Sequence, residues 1–141
     1  MKKVISISVM LFMLIALFSA NAAEPQKKTS TVVKTTPIEV YYFHHTRRCT
    51  TCQAVETESQ KSIKELYAKQ LKDGKVNFIS VNLDKKGSEV LAKKCKADGQ
   101  ALLVICKDKR IDLTDKGFMY AKNSPEKLKA EVKNVIDALL K

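Results

Sequence analysis

The sequence predicts an α/β protein in which a central mixed β-sheet is flanked by helices. Runs of β-branched and aromatic residues alternate with stretches of helical periodicity, in the order β-α-β-α-β-β-α. The strand–helix–strand beginning predicts parallel pairing through a right-handed crossover. Only a short polar turn separates the last two strands, which predicts an antiparallel hairpin and therefore a mixed sheet.

The chain begins with a segment typical of a secretory signal peptide. Lys2 and Lys3 precede an almost wholly apolar run over residues 4–18, and the small-residue pattern Ala20-Asn21-Ala22 follows. The apolar run is short for a membrane span, which takes about 20 residues. We therefore predict that residues 1–22 are a cleaved signal peptide and that the protein is exported across the inner membrane to the periplasm. An uncleaved N-terminal anchor is the alternative.

The remaining chain predicts a short leader followed by one domain. Residues 23–37 are polar and rich in Thr, Lys and Pro, as in a flexible leader, and residues 38–141 suit a single core. Within the leader, Thr31-Val32-Val33 is a candidate for a short edge strand. The net charge is +11, but the lysines are spread through every segment without a cluster of arginine and aromatic residues. We therefore expect no nucleic-acid partner.

The first half of the domain predicts two strands joined by one long helix. Residues 38–43 are β-branched and aromatic, which predicts the first strand. Residues 53–72 predict a helix that ends before Gly74, and residues 76–83 alternate as a second strand does. The apolar positions on one face of that helix are Ile63, Leu66, Tyr67 and Leu71.

A helix and a hairpin are predicted next. Ser88 is a candidate N-cap for a helix over residues 89–97. The continuous apolar run at residues 101–106 predicts a buried central strand. Residues 107–109 form a polar turn, after which residues 110–113 alternate and pair back as a hairpin.

The end of the chain predicts one long amphipathic helix. Residues 114–123 have a weaker pattern, and we expect Phe118-Met119-Tyr120 to be extended. Ser124 and Pro125 then supply a capping residue and a first-position proline for the final helix. Its apolar stripe consists of Leu128, Val132, Val135, Ile136 and Leu139.

The motif that carries chemistry is the Cys-x-x-Cys formed by Cys49 and Cys52. It follows the first predicted strand and opens the first predicted helix. The free N–H groups and the positive dipole end of a helix N-terminus favour a thiolate, and Arg47 and Arg48 add positive charge. A thiolate is the form of cysteine that attacks disulfides. The context therefore favours a redox-active pair, in which Cys52 can close the disulfide.

Two other interpretations of the motif stay open. The two cysteines could bind a metal or trivalent arsenic, with His45 or His44 as a further ligand, or they could form an inert structural disulfide. The histidine pair could also supply a proton donor near Cys52, although a structural role at the strand end is the simpler interpretation.

Two further cysteines lie in the domain, and four cysteines allow three pairings. Cys95 falls late on the second helix and Cys106 at the end of the central strand. Buried cysteines commonly act as small apolar side chains, and that is our expectation here. A second disulfide would need a Cα separation under about 7 Å.

The element order over residues 38–141, with the Cys-x-x-Cys opening the first helix, resembles the thioredoxin fold. This resemblance implies that Cys49 is the attacking cysteine and Cys52 the resolving one. Residues 42–52 and 99–104 also resemble a subgroup of exported thioredoxin-like proteins, the small subunits of nitrophenyl-compound (nitroaromatic arsenical) reductases. The resemblance implies a protein thiol or disulfide partner, such as a membrane or reductase subunit. It implies no cofactor beyond the redox-active disulfide, so a flavin or nicotinamide would belong to the partner.

The sequence departs from the thioredoxin pattern at the site itself. Arg48 replaces the usual aromatic residue, and Thr50-Thr51 replace Gly-Pro between the cysteines. No proline lies near Ala101, where that fold has a cis-proline, so we expect a trans bond there. The buried acid of many thioredoxins has no match, since its place falls near Tyr42 or Phe43.

Overall fold

The structure, a computed structural model, describes residues 36–141. The predicted signal peptide, the candidate strand at Thr31-Val32-Val33 and all of the leader except Thr36 and Pro37 lie outside this range. The elements are β1 (Ile38–His44), α1 (Thr50–Leu66), α2 (Ala68–Lys72), β2 (Val76–Asn82), α3 (Ser88–Cys95), β3 (Ala101–Cys106), β4 (Lys109–Asp112), α4 (Thr114–Tyr120) and α5 (Pro125–Leu140). Within residues 36–141, no helix is both long and apolar enough to span a membrane.

The four strands form one mixed sheet in the order β2-β1-β3-β4. β1 runs parallel to β2, in a register that pairs Ile38 with Val76. β1 runs antiparallel to β3, and β3 pairs antiparallel with β4. The predicted mixed α/β architecture is therefore confirmed, with β1 as a central strand whose carboxyl end leads to the Cys-x-x-Cys.

Successive residues of β1 point to opposite faces of the sheet, and each face has its own core. Val40 and Tyr42 pack with buried residues of α1 and α5, while Tyr41 and Phe43 pack with buried residues of α3. Helices therefore cover both faces of the sheet. A fully buried aliphatic side chain contributes roughly 1.5–3 kcal/mol, so the alternation along β1 stabilises two layers at once.

The prediction of one continuous helix over residues 53–72 is wrong, because two helices cover this range. α1 starts earlier, at Thr50, and Tyr67 interrupts it with φ −128° and ψ 30° before α2 begins. Tyr67 is buried, and its hydroxyl donates to the Asp137 carboxylate at 2.7 Å. This hydrogen bond joins the residue between the two helices to α5. The apolar residues keep helical spacing across the interruption, so the sequence pattern does not reveal it.

The extended structure expected at Phe118-Met119-Tyr120 is also wrong, because these residues belong to α4. The Thr114 hydroxyl accepts a hydrogen bond from the Leu102 N–H at 3.0 Å, which ties the start of α4 to β3. Ser88 is not the N-cap of α3 either. Gly87 takes that place at φ 92°, and the Ser88 hydroxyl donates to the carbonyls of Leu83 and Lys85.

Candidate functional site

The candidate site lies where β1 ends and α1 begins. Cys49 is the N-cap residue of α1, with an extended backbone at φ −74° and ψ 169°. Its sulfur accepts a hydrogen bond from the Cys52 N–H at 3.4 Å, as the side chain of a capping residue does. The prediction that Cys49 stands at a helix start is confirmed.

The two cysteines are close together but differ in their environments. Their sulfur atoms are 2.8 Å apart as free thiols. Cys49 is exposed, whereas only 5% of Cys52 is exposed. Cys49 is therefore accessible to solvent, whereas Cys52 is enclosed by its neighbours.

The pKa values of the two thiols are shifted in opposite directions. The hydrogen bond with the Cys52 thiol, followed by those with backbone N–H groups at the helix start, lowers the pKa of Cys49. Burial, followed by the hydrogen bond with the Cys49 thiol, raises the pKa of Cys52. A thiolate on Cys49 beside a neutral Cys52 thiol is the arrangement that these contacts stabilise.

The two arginines play a smaller part in this shift than the sequence suggested. The Arg48 guanidinium forms an ion pair with the Glu56 carboxylate, so its charge is shared with an acid. Arg47 is exposed. The main causes of the lowered Cys49 pKa are the Cys52 thiol and the backbone N–H groups.

His44 is buried and belongs to a polar network with Ser80 and Glu56 rather than to the cysteine pair. Its Nδ1 lies 2.8 Å from the His45 carbonyl, which can only accept, and its Nε2 lies 3.0 Å from the Ser80 hydroxyl. Ser80 in turn donates to Glu56. Burial would raise the pKa of Glu56, but hydrogen bonds from Ser80 and Arg48 hold that pKa below its ordinary value.

His45 is exposed and holds the loop between β1 and α1. Its Nδ1 lies 2.8 Å from the Asp84 carboxylate, which also accepts a hydrogen bond from the Thr46 N–H at 2.7 Å. The His45 hydrogen bond is the largest cause that lowers the pKa of Asp84 to about 2. Neither histidine hydrogen-bonds a cysteine sulfur within the described chain.

The metal alternative needs at least one ligand beyond the two cysteines if the ion is zinc. Among residues 36–141, no group of three or more His, Cys, Asp or Glu side chains is arranged to hold a metal ion. His45 has its Nδ1 committed to Asp84. The two thiols by themselves remain the donor set for a soft ion that accepts two sulfur ligands.

Sequence reasoning missed two residues that contact Cys52. The buried Tyr42 hydroxyl donates to the Cys52 carbonyl at 2.8 Å, and Gln100 places its side-chain oxygen 3.5 Å from the Cys52 sulfur. The alternation along β1 could have pointed to Tyr42, because it puts Tyr42 on the face that α1 covers. Gln100 lies within the segment 99–104 that the sequence analysis singled out, but no local pattern indicated a contact with Cys52. No peptide bond within residues 36–141 is cis, as expected near Ala101.

The other two cysteines lie apart from the site and from each other. Both are free thiols. Cys95 is buried in the core between α3 and the sheet, while Cys106 packs against the core on the opposite face. The expectation that they act as apolar side chains agrees with these surroundings.

Comparisons with known proteins add little to this description. No protein family model matches the sequence, and no curated protein matches it. A solved structure described as "Structure of a malarial protein" is 22% identical, with a TM-score of 0.45, and the match covers 70% of this chain and 96% of that one. A likeness at this level defines neither a fold family nor an activity for this chain.

Proposed function

We propose that this chain is an exported, thioredoxin-like thiol–disulfide oxidoreductase that works through Cys49 and Cys52. The observation that carries the proposal is the asymmetry of the pair. An exposed Cys49 with a lowered pKa stands at a helix N-terminus, 2.8 Å from a buried Cys52 with a raised pKa.

The chemistry follows from that asymmetry. The Cys49 thiolate attacks one sulfur of a partner disulfide, and the other partner sulfur leaves as a thiolate that takes up a proton. Cys52 then loses its proton and attacks the Cys49 sulfur. The Cys49–Cys52 disulfide forms, the mixed disulfide breaks, and two electrons have passed to the partner. The reverse sequence oxidises a partner dithiol. The disulfide itself is the only redox group required.

The arrangement of elements supports the finer assignment to the thioredoxin-like class. Parallel β1 and β2 are joined through α1, and an antiparallel hairpin of β3 and β4 precedes the final helix. The cysteines open the first of these helices, as in that class. Arg48, Thr50 and Thr51 differ from the residues that thioredoxins usually have beside and between the two cysteines.

Location and partner belong to the same proposal. The N-terminal segment supports export to the periplasm, where disulfides persist. The partner is a protein thiol or disulfide, such as a membrane or reductase subunit. The resemblance of residues 42–52 and 99–104 to small subunits of nitroaromatic reductases makes such a system the first to examine, with any flavin or nicotinamide held by the partner.

The activity is tested by single cysteine variants. Cys49→Ser should reduce the dithiothreitol-driven reduction of insulin to the uncatalysed rate, because the attacking sulfur is gone. Cys52→Ser should trap the partner as a mixed disulfide, visible on non-reducing gels, because the resolving sulfur is gone. Cys106→Ser is the matched control and should leave the rate within about twofold, since Cys106 lies near the start of β1 and Cys49 follows its opposite end. Unchanged reduction by Cys49→Ser would refute the proposal.

Native mass spectrometry separates this function from the binding alternative. The reduced protein would be measured with and without zinc, copper(I) or arsenite. A stoichiometric adduct that protects both Cys49 and Cys52 from alkylation would favour a metal- or arsenic-binding protein. A Cys49–Cys52 disulfide that resists dithiothreitol in the wild-type protein, together with Cys49→Ser and Cys52→Ser variants that keep the cellular function, would instead indicate a structural bond.

A further inference from the structure

If the proposed function holds, the buried Cys52 sulfur must carry a negative charge in the resolving step. The structure places one uncharged side chain, that of Gln100, beside this sulfur. The inner sulfur must become a thiolate to resolve the mixed disulfide, yet only 5% of the residue is exposed. Water is therefore a poor source of hydrogen bonds for that charge. The nearby helix N–H of Cys52 is directed to the Cys49 sulfur instead.

The Gln100 side chain supplies a hydrogen-bond partner for the Cys52 sulfur. It stands directly before β3, and its Oε1 atom lies 3.5 Å from the Cys52 sulfur. Apart from Cys49, no other side chain in the described part of the chain hydrogen-bonds this sulfur. Burial and the Cys49 thiol raise the pKa of Cys52, and the hydrogen bond with Gln100 acts against that rise.

An amide can serve both protonation states of a thiol. Its oxygen accepts a hydrogen bond from the neutral S–H, and its NH₂ group donates to a thiolate. The terminal torsion of glutamine is soft, so a half-turn exchanges the two groups at almost the same position. Gln100 also borders an open groove of about 330 Å³. The amide does not titrate, so it adds no charge of its own.

We propose that Gln100 is a positioning residue for the resolving step: its side-chain oxygen holds the Cys52 thiol, and its NH₂ group then donates to the Cys52 thiolate. The inference rests on the proposed function and names the group that assists its second half. In that step the Cys52 proton passes to solvent. The thiolate attacks the Cys49 sulfur, the Cys49–Cys52 bond forms, and the partner sulfur leaves with the electron pair of the broken bond.

The test resolves the two halves of the reaction in a stopped-flow experiment with one equivalent of dithionitrobenzoate. Attack by Cys49 releases the first thionitrobenzoate, and attack by Cys52 on the adduct releases the second. Gln100→Leu keeps the size of the side chain but removes both hydrogen-bonding groups. We expect the second phase to slow about tenfold or more, with the first phase unchanged, because a hydrogen bond to a charged group is lost. The pH at which the second phase reaches half its maximum rate should rise.

Gln53→Leu is the matched control, because it makes the same change at an exposed position next to Cys52 and should leave both phases unchanged. Gln100→Glu keeps an acceptor but lacks the donor and repels a thiolate, so its second phase should be slower than that of Gln100→Leu. This variant also serves if Gln100→Leu does not fold by circular dichroism. A second phase at the wild-type rate in a folded Gln100 variant, or an equal slowing of both phases, would overturn the proposal.

These outcomes are distinct from failure of the proposed function. Wild-type protein that shows both thionitrobenzoate phases but does not reduce protein disulfides would contradict the oxidoreductase assignment. The role of Gln100 at Cys52 would still be decided by the ratio of the two phases in the variants.

Discussion

Cys49 and Cys52 are three residues apart, and the pKa values of their thiols are shifted in opposite directions. At the N-cap position Cys49 has access to the unpaired N–H groups of the helix, while Cys52 lies one turn inward and is enclosed by the core. The Tyr42 hydroxyl donates to the Cys52 carbonyl, and the Gln100 side-chain oxygen lies 3.5 Å from the Cys52 sulfur. The attacking and resolving roles that we propose therefore follow from position along one helical turn.

The lowered pKa of Cys49 predicts which thiol reacts first with an alkylating agent. A lowered pKa means that the thiolate persists as the pH falls, so Cys49 of the reduced protein should be labelled first at mildly acidic pH. Cys52 and Cys95 are buried, with raised pKa values, and should be slow. Peptide mass spectrometry after timed quenching with iodoacetamide measures the order. Equal rates at all four cysteines, or faster labelling of Cys95, would contradict the site assignment.

Among the elements, α4 is tied closely to the helix that carries the cysteines. A Cβ atom added at Gly117 would lie 3.1 Å from a methyl carbon of Val55 in α1 and 3.4 Å from one of Leu102 in β3. Both neighbours are fully buried. The absence of a side chain at Gly117 therefore allows α4 to pack against α1 one turn after Cys52.

Gly117→Val tests this close packing. The added side chain has no space, so we expect the free energy of unfolding to fall by about 1–3 kcal/mol, as overpacked cores do. Met119→Val is the control, because it puts the same residue at a 59% exposed position of the same helix and should change stability by less than about 0.5 kcal/mol. Urea denaturation followed by circular dichroism measures both. Equal losses of stability in the two variants would contradict the close packing at Gly117, because helix propensity favours Val over Gly and Met over Val.

At the scale of the whole molecule, the sheet separates Cys95 from Cys106. Cys95 packs on one face with α3, and Cys106 packs against the core of the other face. A disulfide needs Cα atoms within about 7 Å, and two residues on opposite faces of a sheet have side chains directed apart. The structure therefore leaves Cys49 and Cys52 as the pair that can be oxidised within one chain.

This division predicts the thiol count of the oxidised protein. After mild oxidation, alkylation in denaturant without a reductant should add two groups, located at Cys95 and Cys106 by peptide mapping. The reduced and denatured protein should take four, which serves as the control. No added group in the oxidised protein would reveal a second disulfide, while four would show that Cys49 and Cys52 had not paired.

The sequence alone determined the elements whose periodicity is strong and the place of the cysteines among them. The strand at 38–43, the apolar strand at 101–106 and the final helix were all predictable, because side-chain alternation and helical spacing are properties of neighbouring residues. The helix start at Cys49 was predictable for the same reason. Residues 114–120 were not, since this short helix is held by its contacts with Leu102 and Val55.

Only the tertiary structure decided which distant side chains meet at the site. Gln100 is 48 residues from Cys52, and Ser80 is 24 residues from Glu56, yet each pair is in hydrogen-bond contact. The order and register of the strands bring these residues together, and no local pattern encodes either one. The break at Tyr67 has the same origin, because its partner Asp137 lies 70 residues further along the chain. Local periodicity sets where elements form, while packing across the sheet sets which groups surround the sulfur atoms.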